Sequence, residues 1–222
     1  HLSYGKCEMF LVMQDKVDGS PQGAISKFPF RFSSGAMRGR FNDQDGQLYV
    51  TGLKGWQTSG ARDGCLQRVR YVGGDWPRPL SLKAHKNGIL LRFGVKLGEE
   101  LANDPESYAV NHWNYRWTSR YGSPDYKVSN PEKTGRDKLT VLSAKLQSDG
   151  KSVFIEIEGI QPVMQMEIAY DLENENGDEL VDKVHTQVAS RFLNSTTTQS
   201  TSLPALAKRA FAWATESRPV GR

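Results

Sequence analysis

The sequence predicts an all-β chain, and three observations carry that prediction. Apolar residues recur at a period of two in run after run, which puts alternate side chains on one face of a strand. Asp45-Gly46, Asn87-Gly88, Asp149-Gly150 and Asn176-Gly177 punctuate those runs with dipeptides that favour tight turns. No helical period occurs between His1 and Gly74. With 21 Gly, 10 Pro and 37% hydrophobic residues among 222, the composition is that of a turn-rich globular protein. The length fits one large all-β domain or two smaller ones.

The stretch Ser34 to Gly74 organises the first part. Before it, Cys7–Met13 is apolar on both sides, the pattern of a buried strand. Ala24–Phe32 sets Phe28, Phe30 and Phe32 on one face and is broken by Pro29, which suits an edge strand. Met37–Phe41 then leads into two β runs, Gln47–Gly52 and Cys65–Tyr71. The loop joining them carries glycines with Lys54, Trp56, Gln57 and Arg62. Such a loop on a rigid strand pair can offer donors to a polar ligand, or simply close the sheet with Trp56 packed over its end.

Trp76-Pro77-Arg78-Pro79 reads as a linker, because two prolines deny both helix and ladder donors. Beyond it Ile89, Leu91, Phe93, Val95 and Leu97 alternate without a miss. Glu99–Glu106 suits a short helical turn. Tyr108–Thr118 places Ala109, Asn111, Trp113, Tyr115 and Trp117 on one side, a row that suits core packing better than a sugar-stacking platform. After a loop over Tyr121–Arg136 come runs at Leu139–Leu146 and Val153–Ile157. A further run has Met164, Met166, Ile168, Tyr170 and Leu172 on one face, and Leu180–Phe192 is the last. Strands of this length between regular turn signals are the signature of an immunoglobulin-like sandwich over Leu82–Phe192. Asn194–Ser202 is a polar spacer, and Leu203–Ala214 has the spacing of a short amphipathic helix with Ser202 as N-cap.

The charge of +4 and pI near 9.0 are mildly basic. Lys and Arg alternate with Asp and Glu and form no dense block, which argues against a nucleic-acid partner. No apolar run approaches the roughly 18–20 residues that span a bilayer. His1–Gly5 shows neither a charged n-region nor an apolar core, and the opening reads as the middle of a β protein with more chain expected before it. Cys7 and Cys65 either form one bridge or are two buried small apolar residues, and neither belongs to a metal or haem motif. The four histidines lack ligand spacing, so no metal site and no catalytic residue are assigned. Glu156 and Glu158 share a strand face but read as solvated carboxylates, and Asn42–Gly46 reads as a hairpin loop instead of a calcium loop.

The order of motifs resembles secreted bacterial proteins with a glucose/sorbosone-dehydrogenase-like β-propeller. The resemblance rests on LSYGK (Leu2–Lys6), QGA (Gln22–Ala24), SGAMRGRF (Ser34–Phe41), DGQLYVTGLKGWQTSGARDGCLQRVRY (Asp45–Tyr71), NHWNYRWTSRYGS (Asn111–Ser123) and QPVMQMEIAY (Gln161–Tyr170). It implies closing strands of a propeller over residues 1–80 and an immunoglobulin-like β-sandwich over 81–193, while 194–222 is read from its own composition as a flexible spacer with a short helix. It further implies a secreted, periplasmic or cell-envelope location. The activity implied is sugar or polyol oxidation by a bound quinone, pyrroloquinoline quinone in the full-length protein, with electrons passed to a c-type cytochrome. Arg38, Arg40, Lys54 and Arg62 would then face the anionic quinone, and Trp56 and Gln57 would line the sugar subsite. The propeller's general base lies on an earlier blade, outside this chain. The alternative is a non-catalytic module that binds glycans or braces a larger cell-envelope assembly. Either way the apolar opening strands are expected to pack against an upstream portion or another chain.

Overall fold

A computed structural model of the chain describes residues 1–17, 20–188 and 213–216. The strands β1 (Leu2–Ser3), β2 (Glu8–Val17), β3 (Ser20–Lys27), β4 (Gly35–Phe41), β5 (Leu48–Leu53) and β6 (Gly64–Tyr71) come first. Next are β7 (Pro79–His85), β8 (Gly88–Phe93) and a short helix, α1 (Glu99–Asn103). They are followed by β9 (Tyr108–Trp113), β10 (Asp137–Leu139), β11 (Val141–Leu146), β12 (Ser152–Ile157), β13 (Val163–Glu173), β14 (Glu179–Val188) and β15 (Trp213–Glu216). The chain is mostly β, its sheets are antiparallel, and none closes on itself. It divides into two compact units. His1–Leu11, Lys27–Trp76 and β15 belong to the first, and Val12–Ser26 and residues 77–188 to the second.

In the first unit the sheet order is β15-β6-β5-β4. Leu48 and Val50 on β5 and Gln67 and Val69 on β6 point to one side and are buried, while Thr51, Leu53 and Leu66 point to the other and are exposed. The β4–β5 connection turns at Gly46, whose φ of 66° suits glycine, with the Asp45 carboxylate accepting from the Gln47 N–H at 2.9 Å. The buried side is completed by Cys7, Met9, Phe28, Phe32 and Trp76. β3 stops before Pro29, yet the next residues stay alongside β2: the Phe28 N–H donates to the Met9 carbonyl and the Phe32 N–H to that of Cys7. Trp76 is buried on Phe28, with ring centroids 4.8 Å apart. The two-sided burial expected for Cys7–Met13 is one-sided: Met9 and Met13 are buried and Val12 is exposed.

The Cys7–Cys65 bridge that was one alternative is absent, and both thiols are free. Cys7 Sγ lies 3.5 Å from Thr58 Oγ1, whereas Cys65 is in register with Gly52 and its sulfur lies over that glycine. The two side chains are held by different neighbours. At the other edge Trp213–Glu216 pairs antiparallel with β6, Trp213 opposite Tyr71 and Glu216 opposite Arg68. Trp213 and Ala214, the last of them closing the helix expected over Leu203–Ala214, are strand instead, as an open edge with unpaired backbone groups recruits a partner. Residues 203–212 and the spacer before them lie outside the described residues.

The second unit has two sheets, β11-β12-β8-β7 and the run β3-β14-β13-β9-β10. Ile89, Leu91 and Phe93 from the first sheet, with Val153, Ile155 and Ile157, share a core with Val110, Met166, Ile168, Tyr170, Leu172 and Val184 from the second. Phe93 meets Tyr170 edge-on with ring centroids 5.2 Å apart, a contact across the sheets. β3 is added to this unit through β14, with His185 opposite Ile25. No local pattern shows that pairing, because it joins residues far apart in sequence.

Two alternations break where the sequence runs on smoothly. β13 shifts register between Val163 and Met166, which buries Val163 and turns Met164 outward. β9 ends at Trp113, and its core side holds Tyr108, Val110 and His112, not the row of Asn111, Trp113, Tyr115 and Trp117. Trp113 is buried on the opposite face, beneath the Arg136 guanidinium 3.7 Å from its ring centroid. Trp117 is exposed.

Because Phe93 is fully buried between the sheets, Phe93→Ala should cost about 3–5 kcal/mol in urea unfolding. Leu142→Ala, at an exposed position, should stay within about 0.5 kcal/mol. Equal small losses for both would show that Phe93 and Tyr170 do not hold the sheets together.

Candidate functional site

Burial of Val50 and Val69 decides what the other face of the β4–β5–β6 sheet presents. Register sets Arg40 opposite Tyr49 and Tyr49 opposite Arg68, and the neighbouring row runs Arg38, Thr51, Leu66. A register shift between Ala36 and Arg38 puts both β4 arginines on this side. Arg70, two residues on from Arg68, shares the face. Arg38 and Arg40 are exposed, and each donates only to a backbone carbonyl beside it, Met37 at 3.0 Å and Gly39 at 3.2 Å. Among the described residues neither meets a carboxylate. Asp45 is engaged instead by the Tyr49 hydroxyl at 2.8 Å. The Gln47 N–H, that hydroxyl and the Arg68 charge hold its carboxyl below the usual range.

Lys54 and Arg62 stand at the two shoulders of the β5–β6 loop, past the last ladder pair of Leu53 and Gly64. Their backbones are fixed: the Lys54 N–H donates to the Asp63 carbonyl and the Arg62 N–H to that of Ser33. The loop is also stapled to the Tyr4–Cys7 segment, with the Ser59 N–H on the Gly5 carbonyl, Thr58 Oγ1 on the Tyr4 carbonyl, and Arg31 bridging Ser59 Oγ and the Lys6 carbonyl. Gln57 sits at φ 54°, a left-handed conformation that a non-glycine residue takes at some cost. Trp56 beside it is 76% exposed, so it does not pack over the sheet end. Of the six predicted residues, then, Arg38 and Arg40 share a sheet face, while Lys54, Trp56, Gln57 and Arg62 sit on the loop. No hydrogen bond joins the two groups.

Arg68 and Arg70 were missed by sequence reasoning. The signal was present as Arg-x-Arg on both strands that flank β5, Arg38-Gly39-Arg40 and Arg68-Val69-Arg70. Once Val69 is assigned inward, its flanking arginines must point outward.

In the second unit Glu167 is a buried carboxylate on the outer face of β13. Lys183 Nζ donates to it at 2.9 Å, Arg136 approaches at 3.5 Å and His185 at 3.6 Å. Arg136 also donates to Asp125 at 2.7 Å. Burial alone would raise the Glu167 carboxyl, but the Lys183 hydrogen bond and three nearby cationic groups outweigh it and hold it low. Burial lowers His185, with Glu167 opposing and Lys183 and Arg136 adding to it. These groups satisfy one another, which is an anchor for the 114–136 loop and not a poised acid–base pair. Glu156 is likewise engaged, by Ser143 Oγ at 2.8 Å and Asn87 Nδ2 at 3.2 Å. Among the described residues no three His, Cys, Asp or Glu side chains gather as a metal site would require, and no helix is long and apolar enough to cross a membrane.

No protein-family model, curated protein or solved structure matches this chain.

The Glu167 anchor has a defined pH dependence. A carboxyl held low in the folded state stabilises above its unfolded value, and that contribution is lost as pH falls through the folded value. His185, also lowered, favours unfolding once the unfolded imidazole protonates, so its loss begins as pH falls through about 6.5. Glu167→Gln should therefore destabilise by about 1–2 kcal/mol at neutral pH, discounted because Lys183 and Arg136 remain water-accessible. The gap to the native chain should close below about pH 4 in thermal melts. A gap that stays constant with pH would show that the carboxylate charge plays no part.

Proposed function

We propose that the chain is a non-catalytic binding and bracing module of a cell-envelope assembly, and that the arginine-lined face of its first unit receives the carboxylates of an acidic glycan. One observation carries this reading. Arg38 and Arg40 stand exposed on one strand face, Arg40 opposite Tyr49 and Arg38 opposite Thr51, and neither is neutralised by a described carboxylate. Guanidinium forks spaced by two residues of strand, about 7 Å, can each take a carboxylate in two parallel hydrogen bonds. Tyr49, opposite Arg40 on β5, offers an aromatic face to a sugar ring.

In the wider setting, the resemblance makes the first unit's antiparallel sheet a blade-like element and the second unit an immunoglobulin-like sandwich of a sugar-dehydrogenase-like propeller protein. That protein would oxidise a sugar or polyol through a quinone and pass electrons to a c-type cytochrome. The binding reading is preferred because a propeller blade packs against neighbours on both faces, which favours apolar faces. This sheet buries one side and exposes Arg38 and Arg40 on the other.

Calorimetric titration of the intact chain with polygalacturonate, and in parallel with pyrroloquinoline quinone, tests the proposal. Polygalacturonate should bind with a salt-dependent affinity, and Arg38→Ala with Arg40→Ala should weaken it about 10–100-fold. Binding of the quinone alone, with sugar-dependent dye reduction, would replace this reading with the enzymatic one.

A further inference from the structure

We infer that the second unit carries a separate site for the ring of a neutral sugar, built from the Tyr115–Trp117 pair and a cavity lined in part by Asn114 and Met164. The chain leaves β9 here, yet it is pinned. Asn114 and Tyr126 exchange two backbone hydrogen bonds, at 2.9 and 2.8 Å. Arg116 is tied down on one side, with its guanidinium 4.2 Å from the Tyr126 ring centroid and donating to the Pro131 carbonyl and to Glu132 at 2.9 Å. Its own N–H donates to Ser123 Oγ at 2.9 Å. Tyr115 and Trp117, the residues on either side of it, lie together, ring centroids 6.3 Å apart and tilted by 44°.

Trp117 is 85% exposed, although the segment that carries it is held by at least six specific contacts. An aromatic side chain held in water on a pinned segment loses little conformational freedom when a flat apolar surface stacks on it. On the same unit lies an open cavity of about 430 Å³ lined by Asn114, Pro162, Val163, Met164, Gln187 and Val188. The aromatic pair is joined to that cavity through Met164, which is itself tied to Asn114. The Tyr115 N–H donates to Met164 Sδ at 3.4 Å, and the Met164 N–H donates to Asn114 Oδ1 at 3.0 Å. The register shift in β13 that turns Met164 outward is what makes it part of this surface.

The lining selects the chemical class. Among the described residues no charged side chain lines the cavity, and the nearby Arg116 charge is taken by Glu132. A phosphate or polyanion would find no counter-charge there. A purely hydrocarbon ligand would cover the amide groups of Asn114 and Gln187 without pairing them. A sugar ring is apolar on its C–H faces and hydroxylated at its rim, so it meets both the aromatic pair and the amides.

Titration of the intact chain with cellohexaose, xylohexaose and chitohexaose, with heparin as the polyanionic control, tests the inference. At least one neutral oligosaccharide should bind. Trp117→Ala should weaken that binding about tenfold or more, with no loss of thermal stability since the side chain is exposed. Gln187→Ala should weaken it too, whereas Arg38→Ala with Arg40→Ala should leave it unchanged, because those residues lie in the other unit. Three results overturn it: no binding of any neutral probe, binding of heparin alone, or an affinity indifferent to Trp117→Ala.

Discussion

A strand has only two faces, and in the first unit Val50 and Val69 occupy one of them at 0% exposure. The remaining geometry of that sheet follows from this burial. With Leu48 and Gln67 inward as well, the ladder pairs Tyr49 with Arg68 on the outside and continues to Arg40 across β5. A slip of one residue would exchange the two faces, burying several arginines and exposing the core valines. The cost of burying unpaired guanidinium groups makes that register inaccessible. The cationic face is thus a consequence of core formation, and its chemical use comes with no added folding requirement.

The second unit solves a different problem, the long connection between β9 and β10. A loop of this length has little core of its own, and the fold secures it with charge and rings. Arg136 reaches Asp125 within the loop, Glu167 on β13 and the face of Trp113. Buried Glu167 would be unfavourable alone, and Lys183 from the adjacent strand adds the second cation that neutralises it. The far side of the same loop is fixed through Arg116 and Tyr126. Aromatic residues that would be costly on a mobile segment are thereby held in defined positions on a rigid one.

Much of the strand content was legible because it is written at short range. Leu48, Val50 and Val69, and Ile89, Leu91 and Phe93, alternate as a half-buried strand must, and Asp45-Gly46 and Asp149-Gly150 turn where positive φ is needed. The row from Asn111 to Trp117 misled, because alternation states which residues share a face without stating which face is the core. Tyr108, Val110 and His112 took the core, and Trp113 found burial on the other side only because Arg136 covers it. Of the candidate site, Arg38 and Arg40 were visible in sequence. Their cross-strand companions Arg68 and Arg70 needed a pairing between strands to be seen as part of one surface.

By itself the sequence determined the β period and the turn positions, both of which depend on neighbours within a few residues. Tertiary structure alone decided the rest. It paired β3 with β14, kept the thiols of Cys7 and Cys65 apart, and turned Met164 outward through a register shift. It also gathered Arg136, Lys183 and His185 around Glu167. The physical reason is common to all four. Each depends on which distant strand supplies hydrogen bonds or charge at a given register, and that choice is made by the energy of the whole sheet and not by any local run of residues.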